Sequence, residues 1–202
     1  MSSPLVSVSG LAGFAVPGRF GKTDGKPGVH LSERVGLGLA TVATHKGQGE
    51  GLKQKVREAY GVDLPDRSII VQGPAVIFVG IGSGQWLAVS ESLKHDALAR
   101  DLAKRLKGLA SVSDQSDGRS VIRVSGPRAH DVLAKGLPID LDPRAFPEDG
   151  AATSVISLMG MQLWQADDTP AYDIAVFRSL SGSFWRWLAA SSAEFGFGVQ
   201  SC

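Results

Sequence analysis

The segment Ser113–Leu133, with the sequence SDQSDGRSVIRVSGPRAHDVL, is the most informative part of the chain. It predicts a polar turn, a strand at 120–124, a corner at Ser125–Pro127 and a helix that starts near Arg128. Ser125 has the hydroxyl group of a helix N-cap, and Pro127 falls in the first turn, where its missing N–H leaves no hydrogen bond unmade. The segment therefore predicts a strand–corner–helix unit, and none of its residues forms a catalytic motif.

The chain before this unit and the chain that begins with it each contain a run of elements in the same order, β-α-β-β-β-α. The first run has strands at Val35–Thr44, Ser68–Gln72, Val76–Ile81 and Gln85–Ser90, and helices at Gly49–Tyr60, ended by Gly61, and Leu93–Leu106, capped by Ser92. The second has strands at Ser120–Val124, Thr153–Leu158, Met161–Gln165 and Tyr172–Phe177, and helices at Arg128–Lys135 and Leu180–Phe195. The sequence predicts an α+β fold of two pseudo-duplicated units, with antiparallel sheets covered by helices on one face.

A local sequence similarity supports the duplication, because Ala88–Leu93 resembles Ala175–Leu180, which lies 87 positions later. We divide the chain into a first α+β half at 35–110 and a second at 111–202. Residues 1–34 form an extended N-terminal arm, since frequent glycine and proline disfavour regular structure there. The arm is also apolar, which is unusual for a solvated tail. It therefore lies along a surface, either of this chain or of a partner.

The balance of charge argues against partners that are bound through bulk electrostatics, although it leaves room for a local basic patch. The 202 residues include 21 basic and 20 acidic side chains, so bulk electrostatics does not favour nucleic acid or membrane surfaces.

Cys202 is the one cysteine, which cannot form an internal disulfide and fits a reducing compartment. No apolar run is long enough for a membrane span, and the first residues lack the pattern of a signal peptide. We expect a cytoplasmic protein.

Candidate chemical motifs are weak. His30, His45, His95 and His130 show no metal-ligand spacing, and the last two fall on predicted helices with a surface character. Asp167–Asp168 and the pair Asp114 and Asp117 sit in segments with the composition of turns between strands. A nucleotide-binding loop is followed by a helix, and no helix is predicted directly after Gly80–Gly84 or after the pair Gly36 and Gly38. We expect a hairpin turn at Gly80–Gly84. The sequence thus predicts no catalytic, cofactor-binding or metal-binding residue.

The last helix carries two tryptophans that point about 160° apart. Trp185 and Trp187 therefore cannot both face the sheet. We expect one to be buried with Phe184 and Leu188, and the other to be exposed or to meet a partner, since tryptophan is enriched at interfaces. A partly covered surface position in a monomer is the alternative.

The strand followed by S-G-P-x-A-x-D-V-L, together with Pro138–Phe146 and the Ser183–Leu188 stretch, resembles the gamma subunit of heterotetrameric sarcosine oxidase. The chain is similar, more distantly, to the folate-binding fold of aminomethyltransferase. The resemblance implies a non-catalytic subunit, inactive alone, of a flavin enzyme that demethylates sarcosine to glycine with peroxide formation and one-carbon transfer to tetrahydrofolate. It implies alpha, beta and delta partner subunits, with the main contact to the large alpha subunit.

The same resemblance assigns FAD, FMN, NAD and zinc to those other subunits and no cofactor to this chain. Folate-binding relatives use acidic residues of a central cavity in a larger protein, and we match none of those positions here. Two alternatives stay open. One is a stand-alone tetrahydrofolate-binding protein of the aminomethyltransferase class, and the other is the same subunit role in an oxidase for another N-methyl amino acid.

Overall fold

A computed structural model describes residues 8–166 and 170–200, which form twelve strands and four α-helices. The first part of the chain contains β1 (Gly18–Phe20), β2 (Val29–Glu33), β3 (Gly38–Thr44), α1 (Gly49–Tyr60), β4 (Ile70–Gln72), β5 (Ile77–Gly82), β6 (Gln85–Ser90), α2 (Asp96–Arg105) and β7 (Ala110–Asp114). The second part contains β8 (Arg119–Ser125), α3 (Ala129–Ala134), β9 (Ala151–Ile156), β10 (Met159–Gln165), β11 (Ala171–Phe177), α4 (Ser181–Ser192) and β12 (Phe197–Val199).

The strands form two sheets with matching topology. The smaller sheet has the order β4-β5-β6-β3-β7, and the larger has the order β1-β12-β2-β8-β11-β10-β9. The run β4-β5-β6-β3 corresponds to β9-β10-β11-β8, and the helices occupy equivalent places in the chain order. The predicted α+β fold with duplicated β-α-β-β-β-α units is therefore confirmed. No helix in the described ranges is long and apolar enough to cross a membrane.

Three apolar clusters give the fold its layers. One lies between the large sheet and helices α3 and α4, and includes Ile122, Phe184 and Leu188. A second lies between the small sheet and helices α1 and α2. The third joins the inner faces of the two sheets, where Leu39 and Leu87 of one sheet meet side chains of the other. The sheets are also linked by backbone pairing of Ile69 with Gly150.

Helix α1 shows how the sequence builds one of these layers. Leu52, Val56 and Tyr60 recur at helical spacing, and all three are buried against the small sheet. Gly61 ends the helix with φ of 71°, a conformation that glycine adopts without steric cost, and its N–H donates to the Arg57 carbonyl. The predicted bounds of this helix are confirmed.

One predicted helix start and two predicted helix caps are wrong. Helix α2 begins at Asp96 rather than Leu93, because the Ser90 hydroxyl accepts the Leu93 N–H and holds the preceding residues in a turn. Ser92 does not cap it. Helix α3 begins at Ala129, next to the predicted start near Arg128. Ser125 does not cap it, because that residue is still part of β8 and is paired with His30 of β2 and Ala171 of β11.

The N-terminal segment is part of the large sheet. Strand β2, at residues 29–33 of the predicted arm, lies between β12, to which it is parallel, and β8, to which it is antiparallel. Its alternating side chains Val29 and Leu31 are fully buried. Strand β1 pairs with β12, and Leu11 reaches the core under α4. The described part of this segment therefore docks within its own chain and is not wholly an arm.

The boundary at residue 110 also differs from the prediction. Strand β7, which spans residues 110–114, pairs with β3 in the small sheet, so residues 111–114 continue the first unit. The loop after it, which contains Asp117, is a turn between strands as predicted, and it connects β7 to β8 in the other sheet rather than forming a hairpin. The other bounds of the predicted division stay predictions.

Candidate functional site

A buried aspartate binds two arginines on the inner face of the large sheet. Asp173 on β11 is 4% exposed. Arg123 on β8, its cross-strand neighbour, donates from Nε and Nη2 to the two carboxylate oxygens of Asp173, at 2.8 Å each. Arg34, just after β2, donates from Nη1 to Asp173 Oδ2 at 2.9 Å and also binds Glu91. The cluster thus joins three strands of the large sheet to the chain that leaves β6.

This cluster satisfies most of the hydrogen-bonding capacity of the Asp173 carboxylate. A carboxylate accepts about four hydrogen bonds, and three are taken here by guanidinium groups. A cavity of about 420 Å³ adjoins the cluster and is lined by Trp164, Val89 and the 72–77 turn. Because both oxygens of Asp173 are already bound to arginines, the acid links β11 to β8 and to the end of β2 within the large sheet, and has little capacity left for a ligand's donors.

A second arginine site lies farther along the same face. Arg119, at the start of β8, donates from Nη1 to Gln162 Oε1 at 2.5 Å and places its guanidinium carbon 4.6 Å from the centre of the Phe177 ring. Its Nε is buried and has no hydrogen-bond partner. Burial lowers the pKa of Arg119 from its usual range, because a charged guanidinium loses hydration there.

The Arg119 side chain lines a cleft of about 290 Å³, which we call the arginine cleft. Arg34 and Arg178 also line it, together with residues 8–10 and the loop of residues 33–37. Arg178 donates to the backbone carbonyl of Val8. The cleft therefore combines three guanidinium groups with parts of the N-terminal segment.

The predicted surface histidines are exposed and separate from one another. His95 precedes α2 with φ of 52°, and His130 lies on α3. His45 places its ring nitrogens 3.2 Å from the Gly108 carbonyl and 3.0 Å from Ser111 Oγ, while His30 is half-buried in β2. Within residues 8–166 and 170–200, no three His, Cys, Asp or Glu side chains are grouped so that they could hold a metal ion.

The glycine-rich and acidic segments have structural roles. Gly80–Gly84 forms the β5–β6 hairpin, as predicted, with a bulge between Gly80 and Gly82 and φ of 65° at Gly84. Gly36 lies before β3 rather than within it. Asp114 Oδ1 accepts the Ser116 N–H at 3.0 Å, so this acid shapes its own turn. Asp167–Asp168 and Cys202 lie outside the described residues.

Both tryptophans of α4 pack within the chain. Trp185 is buried, and Trp187 is half-buried with its ring stacked on Phe184 at a centroid distance of 6.0 Å. The Trp187 ring also covers Gly136 after α3. Trp185 is therefore the buried tryptophan, as expected, and Trp187 has the partly covered surface position of the alternative, since the turn after α3 covers one side of its ring. Contact of its exposed part with a partner stays a prediction.

The sequence predictions missed the arginine residues and Asp173. Their signal is a charged residue inside an otherwise apolar strand, as in RSVIRVS and AYDIAVF. Residues 119 and 123 lie on one face of β8 because side chains alternate along a strand. Finding Asp173 opposite Arg123 requires the register of β8 with β11, which no local pattern provides.

The chain is similar to known proteins over most of its length. Residues 47–194 match the model of the "Sarcosine oxidase, gamma subunit family". The chain is 32% identical over 187 residues to the sarcosine oxidase subunit gamma of Corynebacterium sp. (strain P-1), covering 84% of this chain and 90% of that protein. It is 34% identical over 149 residues to the subunit gamma of an Arthrobacter species, covering 73% of this chain and 66% of that protein.

Solved structures agree with these relatives. A chain of the heterotetrameric sarcosine oxidase from Corynebacterium sp. U-96, in complex with pyrrole 2-carboxylate, matches with a TM-score of 0.78 and 25% identity, covering 94% of this chain and 96% of that one. The glycine cleavage system aminomethyltransferase T from Bartonella henselae shares the fold, with a TM-score of 0.63 and 16% identity over 83% of this chain and 47% of its own. The predicted resemblance is thus confirmed, and the chain belongs to the sarcosine oxidase gamma subunit family.

Proposed function

We propose that this chain is the gamma subunit of a heterotetrameric sarcosine oxidase and that it acts in assembly rather than in catalysis. The observation that carries the proposal is the likeness, over nearly the whole of both chains, to a subunit of the heterotetrameric enzyme from Corynebacterium sp. U-96. A stand-alone aminomethyltransferase-like protein is not favoured, because the likeness to the Bartonella henselae aminomethyltransferase is weaker, with a TM-score of 0.63 against 0.78. The same role in an oxidase for another N-methyl amino acid is the remaining alternative.

The polar groups of the inner faces support a structural role. Asp173, the most deeply buried acid described, is neutralised by Arg34 and Arg123. Asp114 binds its own turn. In this proposal both carboxylates stabilise the fold rather than take part in proton transfer.

The cofactors of the complex belong, in this proposal, to the other subunits. Gly80–Gly84 forms a hairpin between strands rather than the strand–helix turn of a dinucleotide-binding loop, which supports the assignment of FAD, FMN and NAD to other subunits. Zinc needs three or four grouped ligands, which the described residues do not provide. Tetrahydrofolate is likewise assigned, in this proposal, to another subunit.

The partners are, in this proposal, alpha, beta and delta subunits, and the large alpha subunit makes the main contact. A stable assembly of this kind buries about 1,600 Å² or more in its principal interface. We place the complex in the cytoplasm, which agrees with the single cysteine of the chain.

Co-purification tests the proposal directly. The tagged chain, expressed in its native host, is expected to bring down stoichiometric flavin-containing large subunits and a small zinc protein. Sarcosine-dependent peroxide formation by that complex, compared with other N-methyl amino acids, identifies the substrate. A monodisperse protein of about the 21.2 kDa chain mass, without flavin colour, would show that the proposal is wrong.

A further inference from the structure

The hairpin between β9 and β10 presents a leucine to solvent. Ile156 at the end of β9 pairs with Met159 at the start of β10, so Ser157 and Leu158 form a two-residue loop. Leu158 is 96% exposed, the largest exposed fraction among the large apolar residues that the structure describes. Folding of this chain alone leaves its apolar surface in water, so the leucine contributes no burial to its own core.

The backbone of this loop is unfavourable for the residues that occupy it. The angle φ is 47° at Ser157 and 68° at Leu158, whereas hairpin loops with positive φ at both positions favour Asn-Gly. A bulky side chain in the left-handed region lies too close to its own backbone. The Ser157 N–H donates to the Gly136 carbonyl at 3.1 Å, which ties the loop to the turn after α3. The leucine is therefore held in a strained and fixed position, as is typical of functional residues.

An apolar row on the inner face of the large sheet ends at this hairpin. Val155 lies opposite Gly160 across β9 and β10, and the register of β10 with β11 continues the row to Phe177. The small sheet reaches the preceding row, where Thr153 Oγ1 donates to the Ile81 carbonyl at 3.1 Å. Val155 and Phe177 lie beyond it and are 45% and 48% exposed, although other residues of the same face form the core between the sheets.

Gly160 leaves open space in the middle of this row. A Cβ atom there would meet no atom within 4 Å. Glycine in a strand often marks a place where another chain approaches the sheet closely. Arg119 lies at the far end of the row, with its guanidinium carbon 4.6 Å from the centre of the Phe177 ring, so the apolar part of the row is the part next to the hairpin. An apolar group of a partner can therefore approach the sheet between Val155 and Phe177.

We propose that Leu158 enters an apolar pocket of another subunit of the oxidase complex, and that the same subunit covers Val155 and the space over Gly160. The inference rests on the proposed function, since it needs a partner subunit. The shape of the hairpin selects the chemistry of the partner, because a protruding leucine requires a concave apolar surface. Burial of the leucine on assembly offsets the unfavourable loop, which folding of this chain alone does not do.

Two other occupants fit the hairpin less well. Gly10 lies beside Ser120 and Ser181 on the helix side of the large sheet, so residues 8–10 are across the sheet from Val155. A second copy of this chain would produce a homodimer, whereas the solved relative that matches nearly the whole chain belongs to a heterotetramer. Another subunit is therefore the occupant that the comparisons favour, and a homodimer is one of the outcomes of the test.

The test measures assembly and stability in the same variant. Leu158→Asn replaces the leucine with a polar side chain that tolerates positive φ. We expect the variant to bind the other subunits at least about tenfold more weakly, because the burial of a leucine side chain is lost. The melting temperature of the full chain is expected to stay the same or to rise by up to about 4 °C, since the strain of the loop is relieved. A residue that only maintained the fold would lower both quantities.

Matched variants identify the chemistry of the contact. Leu158→Met keeps an apolar side chain of similar volume, and we expect it to assemble within about threefold of the unmodified chain. Val155→Thr keeps the β-branched shape at the sheet edge, and we expect it to weaken assembly by about threefold or more. The control is Val16→Asn, at a 55% exposed residue that precedes β1 at the other edge of the large sheet, and it is expected to assemble within about twofold.

Several results would overturn the inference. If Leu158→Asn assembles like the Val16→Asn control, the leucine does not enter a pocket of a partner. A fall of more than about 4 °C in the melting temperature of Leu158→Asn would show that the leucine stabilises its own chain. A homodimer of the unmodified chain that Leu158→Asn dissociates, with unchanged binding to the other subunits, would assign the hairpin to a second copy. If the unmodified chain binds no other subunit, the proposed function itself fails, and the inference fails with it.

Discussion

Arg34 Nη1 lies 2.9 Å from Asp173 Oδ2, which ties the loop after β2 to β11 on the inner face of the large sheet. We expect Asp173→Asn to lower the free energy of unfolding by about 3–5 kcal/mol, because it removes the buried carboxylate that binds both Arg34 and Arg123. Urea unfolding at neutral pH measures the change.

The matched control is Glu91→Gln, which removes the other carboxylate bound by Arg34. The Glu91 side chain is 75% exposed, so water screens its charge and the expected loss is below about 1 kcal/mol. Equal losses in the two variants would show that the buried carboxylate stabilises the fold no more than the exposed one does.

The place of β2 in the large sheet gives a second prediction. Leu31 is fully buried between β12 and β8, so Leu31→Ala is expected to cost about 2–5 kcal/mol of stability. Val16, in the same N-terminal segment, is 55% exposed, and Val16→Ala is expected to change stability by less than about 0.5 kcal/mol. Thermal unfolding of both variants checks this, and similar small shifts would mean that residues 29–33 behave as a loose arm.

Local patterns predicted the elements that are built from local contacts. Helix α1 and the β5–β6 hairpin each combine a clear hydrophobic period with a terminating glycine or turn, and both form where predicted. Strand β2 was missed although VHLSE alternates in polarity, because its five residues follow a stretch rich in glycine and proline. Its neighbour β12 lies at the other end of the chain, and such a pairing leaves no local signal.

The candidate site was missed for a related reason. A charged residue in an apolar strand is visible in the sequence, but its partner depends on strand register. Asp173 meets Arg123 across β11 and β8, and Arg119 meets Gln162 of β10 on the same face. The alternation along a strand indicates which face of the sheet a side chain lies on. Which side chains lie opposite one another depends on how the strands pair, and that requires the tertiary structure.

The contact between Gly136 and Trp187 gives a third prediction. A Cβ atom at residue 136 would lie 2.6 Å from Trp187 Cζ2, and that ring is held by stacking on Phe184. We expect Gly136→Ala to destabilise the fold by about 1–3 kcal/mol through overpacking, measured by thermal unfolding. Gly160→Ala is the control, because a Cβ there meets no atom within 4 Å. An equal effect of both substitutions would contradict the packing of Trp187 against the turn after α3.

The last residue of α1 gives a prediction at alkaline pH. Tyr60 donates from its hydroxyl to Asp101 Oδ2 at 2.8 Å, and burial, followed by this hydrogen bond, raises the pKa of Tyr60. The folded state thus favours the protonated phenol. Its contribution to stability is complete below the unfolded pKa of about 10 and is lost as the pH rises above that value.

Tyr60→Phe removes both the hydrogen bond and the titration. We expect the variant to be about 0.5–1.5 kcal/mol less stable at pH 8, and to lose less free energy of unfolding than the unmodified chain between pH 9 and pH 11. Tyr172 keeps part of the alkaline decline in this variant, because burial raises its pKa as well. Urea unfolding across this pH range measures the decline in stability of both proteins. Parallel declines would mean that Tyr60 has the same pKa in the folded and unfolded states. The hydrogen bond to Asp101 would then not protect its proton.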